Sequence, residues 1–456
     1  MNITWKNRYA IPFALAGLGL AASGWAQEAT VAAAPVAAAA APAAPAVNSG
    51  DTVWVLVSTA LVLLMTIPGL ALFYSGLVRR KNVLSVLMQC FFLVCMVTFQ
   101  WVALGYSLSF GPDIKGFIGN LSWGMLNHVG ADPNADYAGT IPHSVFMLFQ
   151  MMFAIITPAL IVGAFAERMK FAAFALFALL WTTLVYDPVA HWVWGMGGFL
   201  RKMGALDFAG GTVVHINAGI AALVCALVLG RRIGYPKKMS PPHNLPFAVI
   251  GASLLWFGWF GFNAGSSLAA NGLAGSAFLA THVATAVAGL TWAVMDLVKN
   301  RHVTVLGIIS GAVAGLVAVT PAAGFVTPGG AMAIGAGAGV ICYLFVTVVK
   351  PLLGYDDSLD AFGVHGVGGT WGALATGLFA TTAVNGAGAN GLFYGNPALL
   401  WIQLKAVLVT LAYSGVMSFV ILKIVNAVLG LRVSEQDEHI GLDLTDHRET
   451  GYTLID

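Results

Sequence analysis

Charge is what this sequence has least of. Asp, Glu, Lys and Arg make up 9% of its 456 residues, against about 25% in soluble domains. That scarcity, a hydrophobic share of 59% and a mean hydropathy of +0.84 exclude a water-soluble globular domain. The polar–apolar alternation of a transmembrane barrel is lacking too, so the chain must satisfy its backbone within helices. Cysteine is scarce, and Cys90, Cys95, Cys225 and Cys342 all lie in apolar segments. They read as small buried hydrophobes and not as a disulfide framework or redox centre. Most histidines (His128, His143, His191, His243, His282, His302, His439, His447) are scattered over loops and segment ends without a ligand cluster. No metal, cofactor or enzymatic activity is expected, and a net charge of +2 points to no nucleic-acid partner.

What is present is one apolar segment after another. Residues 1–26 have a short basic start (Lys6, Arg8), an apolar run and Gly24-Trp-Ala26, which predicts a signal peptide cut after Ala26. Residues 27–50 are Ala/Pro-rich, too poor in bulky groups to pack, and read as an extracytoplasmic tether. Residues 51–428 hold eleven candidate spans, at 53–78, 83–108, 142–166, 170–190, 209–230, 246–264, 274–298, 304–320, 330–350, 362–381 and 398–428. Residues 429–456 form a tail. With the mature N-terminus outside, fifteen Lys and Arg residues fall on the cytoplasmic side, and four (Lys115, Arg201, Lys202, Lys405) fall outside. Positive charge accumulates inside, so the expectation is an inner-membrane protein with a periplasmic N-terminus and a cytoplasmic C-terminus.

Two stretches organise the rest. Asp207-Phe-Ala-Gly-Gly-Thr-Val-Val-His215 opens the fifth span with a carboxylate and carries an imidazole into it. At ~1.5 Å per residue, the imidazole lies ~12 Å deep, near the middle of a ~30 Å hydrocarbon layer. Asp360-Ala-Phe-Gly-Val-His365 repeats the arrangement in the tenth span, which enters from the opposite face. Phe73-Tyr-Ser-Gly76 with Asn82 echoes Phe260-Gly-Phe-Asn-Ala-Gly265 with Asn271 at the ends of spans one and six. The expected fold is therefore an all-α polytopic membrane protein of eleven transmembrane helices. Its five-helix repeats (spans 1–5 and 6–10) are inverted, with an eleventh helix added. A lone buried histidine usually hydrogen-bonds a backbone carbonyl between helices, but a matched, inverted pair at one depth is best satisfied by mutual contact and can share a proton. Bis-histidine haem is the rival chemistry. Haem-binding four-helix cytochromes carry two histidines on each of two helices, whereas each span here has one.

Several motifs add a resemblance. Phe149-Gln-Met-Met-Phe153-Ala, Gly163-Ala-Phe-Ala-Glu-Arg168, the Asp207–His215 stretch, Pro242-His-Asn-Leu-Pro246, Gly258-Trp-Phe-Gly-Phe-Asn-Ala-Gly-Ser266 and Phe362-Gly-Val-His-Gly366 together resemble the bacterial ammonium transporters of the Amt/Mep/Rh family. The resemblance runs from about residue 50 to the C-terminus. It implies an outer vestibule that recruits NH4+ through Trp194 and Ser266 together with Phe153, a gate of Phe153 and Phe262, twin pore histidines His215 and His365, and Asp207 as a structural residue near the ion. Without it, Trp194 would read as an interfacial belt tryptophan, the phenylalanines as core, and Asp207 and Asp360 as helix caps. The resemblance further implies NH4+/NH3 as substrate, a homotrimer, and a PII-type nitrogen regulatory protein on the cytoplasmic face. That face is expected to present basic loops (Arg231-Arg232, Lys237-Lys238, Lys299, Arg301) beside an acidic tail. Gly441-Leu-Asp443 keeps the family's tail motif, while His447-Arg448-Glu449 departs from the usual His-Gly-Glu. The alternative is an ammonium sensor with incidental conduction; such relatives often carry a long cytoplasmic output domain, for which residues 429–456 are short.

Overall fold

The computed structural model describes residues 46–238 and 241–452, so the expected signal peptide and most of the tether lie outside the described residues. Among the described residues, nine helices are long and apolar enough to cross a membrane: Ser49–Leu77, Arg80–Phe110, His143–Phe165, Phe171–Met203, Gly211–Leu229, Leu245–Ser267, Gly272–Asn300, Pro328–Leu353 and Pro397–Leu429. Two further helical stretches are Val305–Val319 and Phe362–Gly366 continuing into Val367–Phe379. Glycine, threonine and histidine lower the apolarity of the latter.

Small polar residues set where these helices begin. Asn48, Asn244, Asn271 and Thr304 each accept a hydrogen bond from a first-turn N–H, at 3.0, 3.0, 3.1 and 2.9 Å. Such a cap satisfies donors that have no partner within the helix. The Asn48 cap starts the first helix at Ser49, two residues inside the expected tether. Between the second and third helices, residues 111–142 fold into two short antiparallel ribbons, Asp113–Ile114 with Ile118–Gly119 and Pro133–Asn134 with Ala138–Pro142.

The helix His143–Phe165 is buried almost along its whole length and forms the centre of the bundle. Small residues bring neighbouring backbones together around it. A Cβ on Gly251 would lie 2.2 Å from Phe73 N, which fixes the crossing of Leu245–Ser267 with Ser49–Leu77. A Cβ on Gly219 would lie 2.1 Å from Gly366 N, so Gly211–Leu229 and the helix starting at Phe362 cross with main chains in contact.

At one end the tail folds back onto the bundle. Leu442 N donates to Asn82 Oδ1 at 2.8 Å, Ser85 N to Asp443 Oδ1 at 2.8 Å and Phe171 N to Asp446 Oδ2 at 3.1 Å. The His447 ring packs edge-on against Phe171 at 5.2 Å. Arg232 was expected to belong to a basic docking loop, but it is buried. It donates to both oxygens of Asp356, at 2.9 Å from Nε and 2.8 Å from Nη2, and to Glu167 Oε2 at 3.1 Å. Its arginine fork matches a carboxylate geometrically and neutralises a second one. Burial pushes Glu167 up, and Arg232 and Arg79 more than offset it, holding its carboxyl below the ordinary range. Asp356 is held low in the same way by Arg232. Arg231, Lys237 and Lys238 are the exposed bases of that loop.

Candidate functional site

An unbroken file of ring contacts runs through the bundle. Trp194 ends the helical segment Asp187–Trp194, half-buried, and its ring meets Phe153 edge-on at 5.7 Å. Phe153, on the central helix, stacks obliquely on Phe262 at 4.3 Å and 32°, so the two rings lie in contact across this line. Beyond Phe262 lies His215 at 6.0 Å. His215 then faces His365 at 5.3 Å between ring centroids and 20° between planes.

The two imidazoles bring Nδ1 to within 3.3 Å of Nδ1. One must donate and the other accept, so the pair holds a single proton between these nitrogens and the tautomer of one ring sets that of the other. Both rings are buried. His215 Nε2 has no hydrogen-bond partner in the protein, so this ring edge keeps an unused donor or acceptor for a small polar solute. His365 lines a cavity of about 370 Å³ at the far end, shared with Asp296, Thr304, Ser358 and Asp360.

Local sequence explains why both histidines can be buried so closely. Asp207 receives four backbone N–H groups: Gly210 and Gly211 on Oδ1 at 2.8 and 2.7 Å, and Thr212 and Val213 on Oδ2 at 2.8 and 3.1 Å. Burial raises its carboxyl above the ordinary range, and these four donors work against that rise. The following turn, Gly211–Ile216, is π-helical, a wider turn frequent at functional sites. The same device opens the other helix, where Phe362–Gly366 is also π-helical. There the sequence pointed to Asp360 as the cap, and the structure corrects it. Asp357 accepts from Ala361 N at 3.1 Å and Phe362 N at 2.8 Å. Asp360 instead adopts φ +61° and pairs with Lys350 Nζ at 2.5 Å. Asp207 and Asp357 each stand eight positions ahead of their histidine (207 to 215, 357 to 365). That equal spacing was the signal in the sequence. Burial pushes Asp357 up to about 6, against the pull of Lys350.

The remaining expected residues are tied to members of this file by hydrogen bonds. Ser266 Oγ donates to Phe262 O at 2.8 Å, which commits its proton and leaves oxygen lone pairs free to accept from a cation. Trp194 Nε1 donates to Asp207 O at 2.9 Å, tying the outer ring to the helix start that carries His215. Sequence reasoning assigned no role to Trp259, which stacks on His215 at 5.4 Å and 21° and donates to Thr320 Oγ1 at 2.9 Å. It lies three residues before Phe262, hence on the same helix face, which is where the sequence could have revealed it. Among the described residues no group of three or more His, Cys, Asp or Glu side chains is placed to hold a metal ion.

A bundle of membrane-length helices around an apolar, ring-closed axis that carries paired imidazoles defines a transport protein for a small solute, and the comparisons specify which kind. The Ammonium Transporter Family profile matches residues 53–452. The chain is 54% identical over 403 residues to the ammonium transporter of Bacillus subtilis strain 168, covering 88% of this chain and 98% of that protein. Among solved structures it is similar to Saccharomyces cerevisiae Mep2, with TM-score 0.80, 38% identity, and 85% and 88% of the two chains covered. It is also similar to a sensor Amt protein, with TM-score 0.81, 29% identity, and 87% and 98% covered. This chain belongs to the ammonium transporter family, and it is a multi-pass membrane protein.

Proposed function

We propose that the chain recruits NH4+ beside Trp194 and Ser266, removes one proton, and conducts NH3 past Phe153 and Phe262 along His215 and His365. The proton crosses separately through the two imidazoles. The observation that carries this reading is the 3.3 Å Nδ1–Nδ1 contact directly below the stacked phenylalanines.

The physical logic is one of desolvation. Moving a permanent cation from water into an apolar file costs several kcal/mol even after relaxation, which excludes potassium and sodium. Ammonium escapes the barrier because it can shed a proton. At the Trp194 end, the indole face attracts a small cation by about 0.5–2 kcal/mol, and the Ser266 oxygen accepts one of its N–H bonds. Phe153, in edge contact with Trp194, closes the floor of this site. At His215 the unpartnered Nε2 can accept from or donate to the nitrogen of ammonia, while the Nδ1–Nδ1 contact passes a proton to His365 by tautomer exchange. Asp207 holds the helix start in register and keeps the indole anchored.

We place this site in a protein of eleven spans with inverted five-helix halves. The equal placement of Asp207 and Asp357, and the pairing of Ser49–Leu77 with Leu245–Ser267, support that arrangement. The Trp194 end faces the periplasm of an inner membrane and the tail end the cytoplasm, the protein works as a homotrimer with one path per subunit, and a PII-type regulator docks at the tail end. A sensor role is less well supported, because the chain is 29% identical to the sensor Amt protein and 54% identical to a transporter. The test is an ammonium jump on proteoliposomes adsorbed to a solid-supported membrane. An ammonium-evoked current with none for potassium is expected; equal currents for both ions would sink the deprotonation reading.

A further inference from the structure

The ring file leaves two buried imidazoles unexplained, His143 and His191, and the second sits on the segment that carries Trp194. His191 is fully buried, three residues before Trp194 on the segment Asp187–Trp194. Its Nδ1 lies 3.0 Å from the carbonyl oxygen of Ser109 and its Nε2 lies 2.9 Å from Asp113 Oδ1. A carbonyl has no proton to give, so Nδ1 carries the hydrogen of that bond. Nε2 then shares a proton with a carboxylate, which makes the second bond charge-assisted and strong.

The surroundings are built around this pair. Asp113 also accepts from Gly116 N at 2.7 Å, and Lys202 Nζ approaches its other oxygen at 3.7 Å. The ribbon that carries Asp113 further takes the Trp192 Nε1 proton on Phe117 O at 2.8 Å. The chain after Trp194 is glycine where it passes the pair: a Cβ on Gly195 would lie 2.5 Å from His191 Nδ1, and one on Gly197 would lie 2.5 Å from Asp113 Cβ. At the start of the segment, the buried Asp187 carboxylate is held by Gln100 Nε2 at 2.7 Å and Ser109 Oγ at 3.3 Å. Ser109 thus contacts the segment twice, one turn apart. The short helix that ends in Trp194 is clamped at both ends by groups outside the pore.

We propose that the Asp113–His191 pair is a positioning device that holds the Trp194 indole at the pore mouth and thereby sets the affinity of the outer site for ammonium without touching the ion. This rests on the reading of Trp194 as the recruiting ring, and the experiment separates the two.

Full-length protein in proteoliposomes is assayed for ammonium-evoked current over a concentration series, as wild type, D113A, D113N, H191Q, W194L and the D113A/W194L double variant. D113A should raise half-saturating ammonium roughly three- to tenfold, within the range a cation–π contact supplies, with maximal current changed by less than roughly twofold, the signature of lost binding. D113N should recover only part of the affinity, because an amide N–H turned toward Nε2 from the Oδ1 position opposes the Gly116 N–H that also points there. In the W194L background D113A should add nothing. A fall in maximal current at unchanged half-saturation, or additive shifts in the double variant, would overturn the proposal. W194L without any shift would instead remove the outer-site reading beneath it. Asp113 lies on a partly exposed ribbon, so D113A keeps the test valid if H191Q does not assemble.

Discussion

Replacing Asp207, Asp357 and Asp360 separately by alanine tests whether the two carboxylates are what seat the paired histidines. Each orphaned buried backbone donor costs roughly 1–3 kcal/mol. Asp357→Ala orphans two, one of them at Ala361 on the wall of the inner cavity, where water can replace the lost acceptor. The low end applies, roughly 2 kcal/mol. Asp207→Ala orphans four away from that cavity, roughly 4 kcal/mol or more. Both changes also relieve a carboxyl that burial raises, so the ranking rests on the difference of two orphaned donors. Asp360→Ala breaks the pair with Lys350, a partly exposed ion pair of about 0–1 kcal/mol, and sets alanine at a left-handed position that aspartate tolerates better, a smaller cost than orphaned backbone donors. Heating the detergent-solubilised protein and following the monodisperse fraction should rank Asp207→Ala least stable, Asp357→Ala next and Asp360→Ala mildest. Ammonium-evoked current should fall in the same order. Asp360→Ala as harmful as Asp357→Ala would refute the capping argument. There is a pH corollary: Asp357 is raised to about 6, so its contribution favours the fold below the ordinary aspartate value and is lost as pH rises through about 6.

Other expectations concern the tail end and the helix crossing. Arg232→Ala leaves Asp356 and Glu167 buried without their shared cation and should destabilise by about 3–5 kcal/mol, measured by the same heating assay; a loss below about 1 kcal/mol would mark the pair as surface-like. Because Glu167 and Asp356 are held low, their stabilisation is present above the ordinary carboxylate values and lost as pH falls through the depressed ones. Wild-type stability should therefore drop in strong acid more steeply than that of Arg232→Ala. Gly219→Val sets a side chain against the main chain of Gly366 and should abolish assembly, seen as loss of a monodisperse peak on size exclusion. Pull-down of the solubilised protein with a cognate PII protein, in ADP and without 2-oxoglutarate, should retain the partner, and no retention would remove that regulator from the account.

Much of the fold is written in residue chemistry that acts locally. Asn48, Asn244, Asn271 and Thr304 mark helix starts within a few residues of the expected ones because a cap needs only its own first turn. The approach of His215 to His365 was legible because two polar groups in lipid must find partners. The cap on the second helix was misread because Asp360 is nearer in sequence, whereas its left-handed backbone turns it toward Lys350 and hands the N–H groups to Asp357. The burial of Arg232 was hidden for another reason: its partners lie 65 and 124 positions away, and loop charge counts cannot tell a solvated arginine from a paired one. Trp259 was overlooked because an aromatic on an apolar helix face usually packs as core, and its three-residue spacing from Phe262 gains meaning only once the His215 ring stacks on it.

In the proposed mechanism the proton crosses on the two imidazoles while ammonia crosses as a neutral molecule. The most direct test is the current evoked by an ammonium jump on proteoliposomes of the His215→Ala/His365→Ala double variant, with wild type and a potassium jump measured in parallel. The account predicts a protein that still assembles but has lost the proton-coupled current seen in wild type. A normal, ammonium-specific current from the double variant would contradict it.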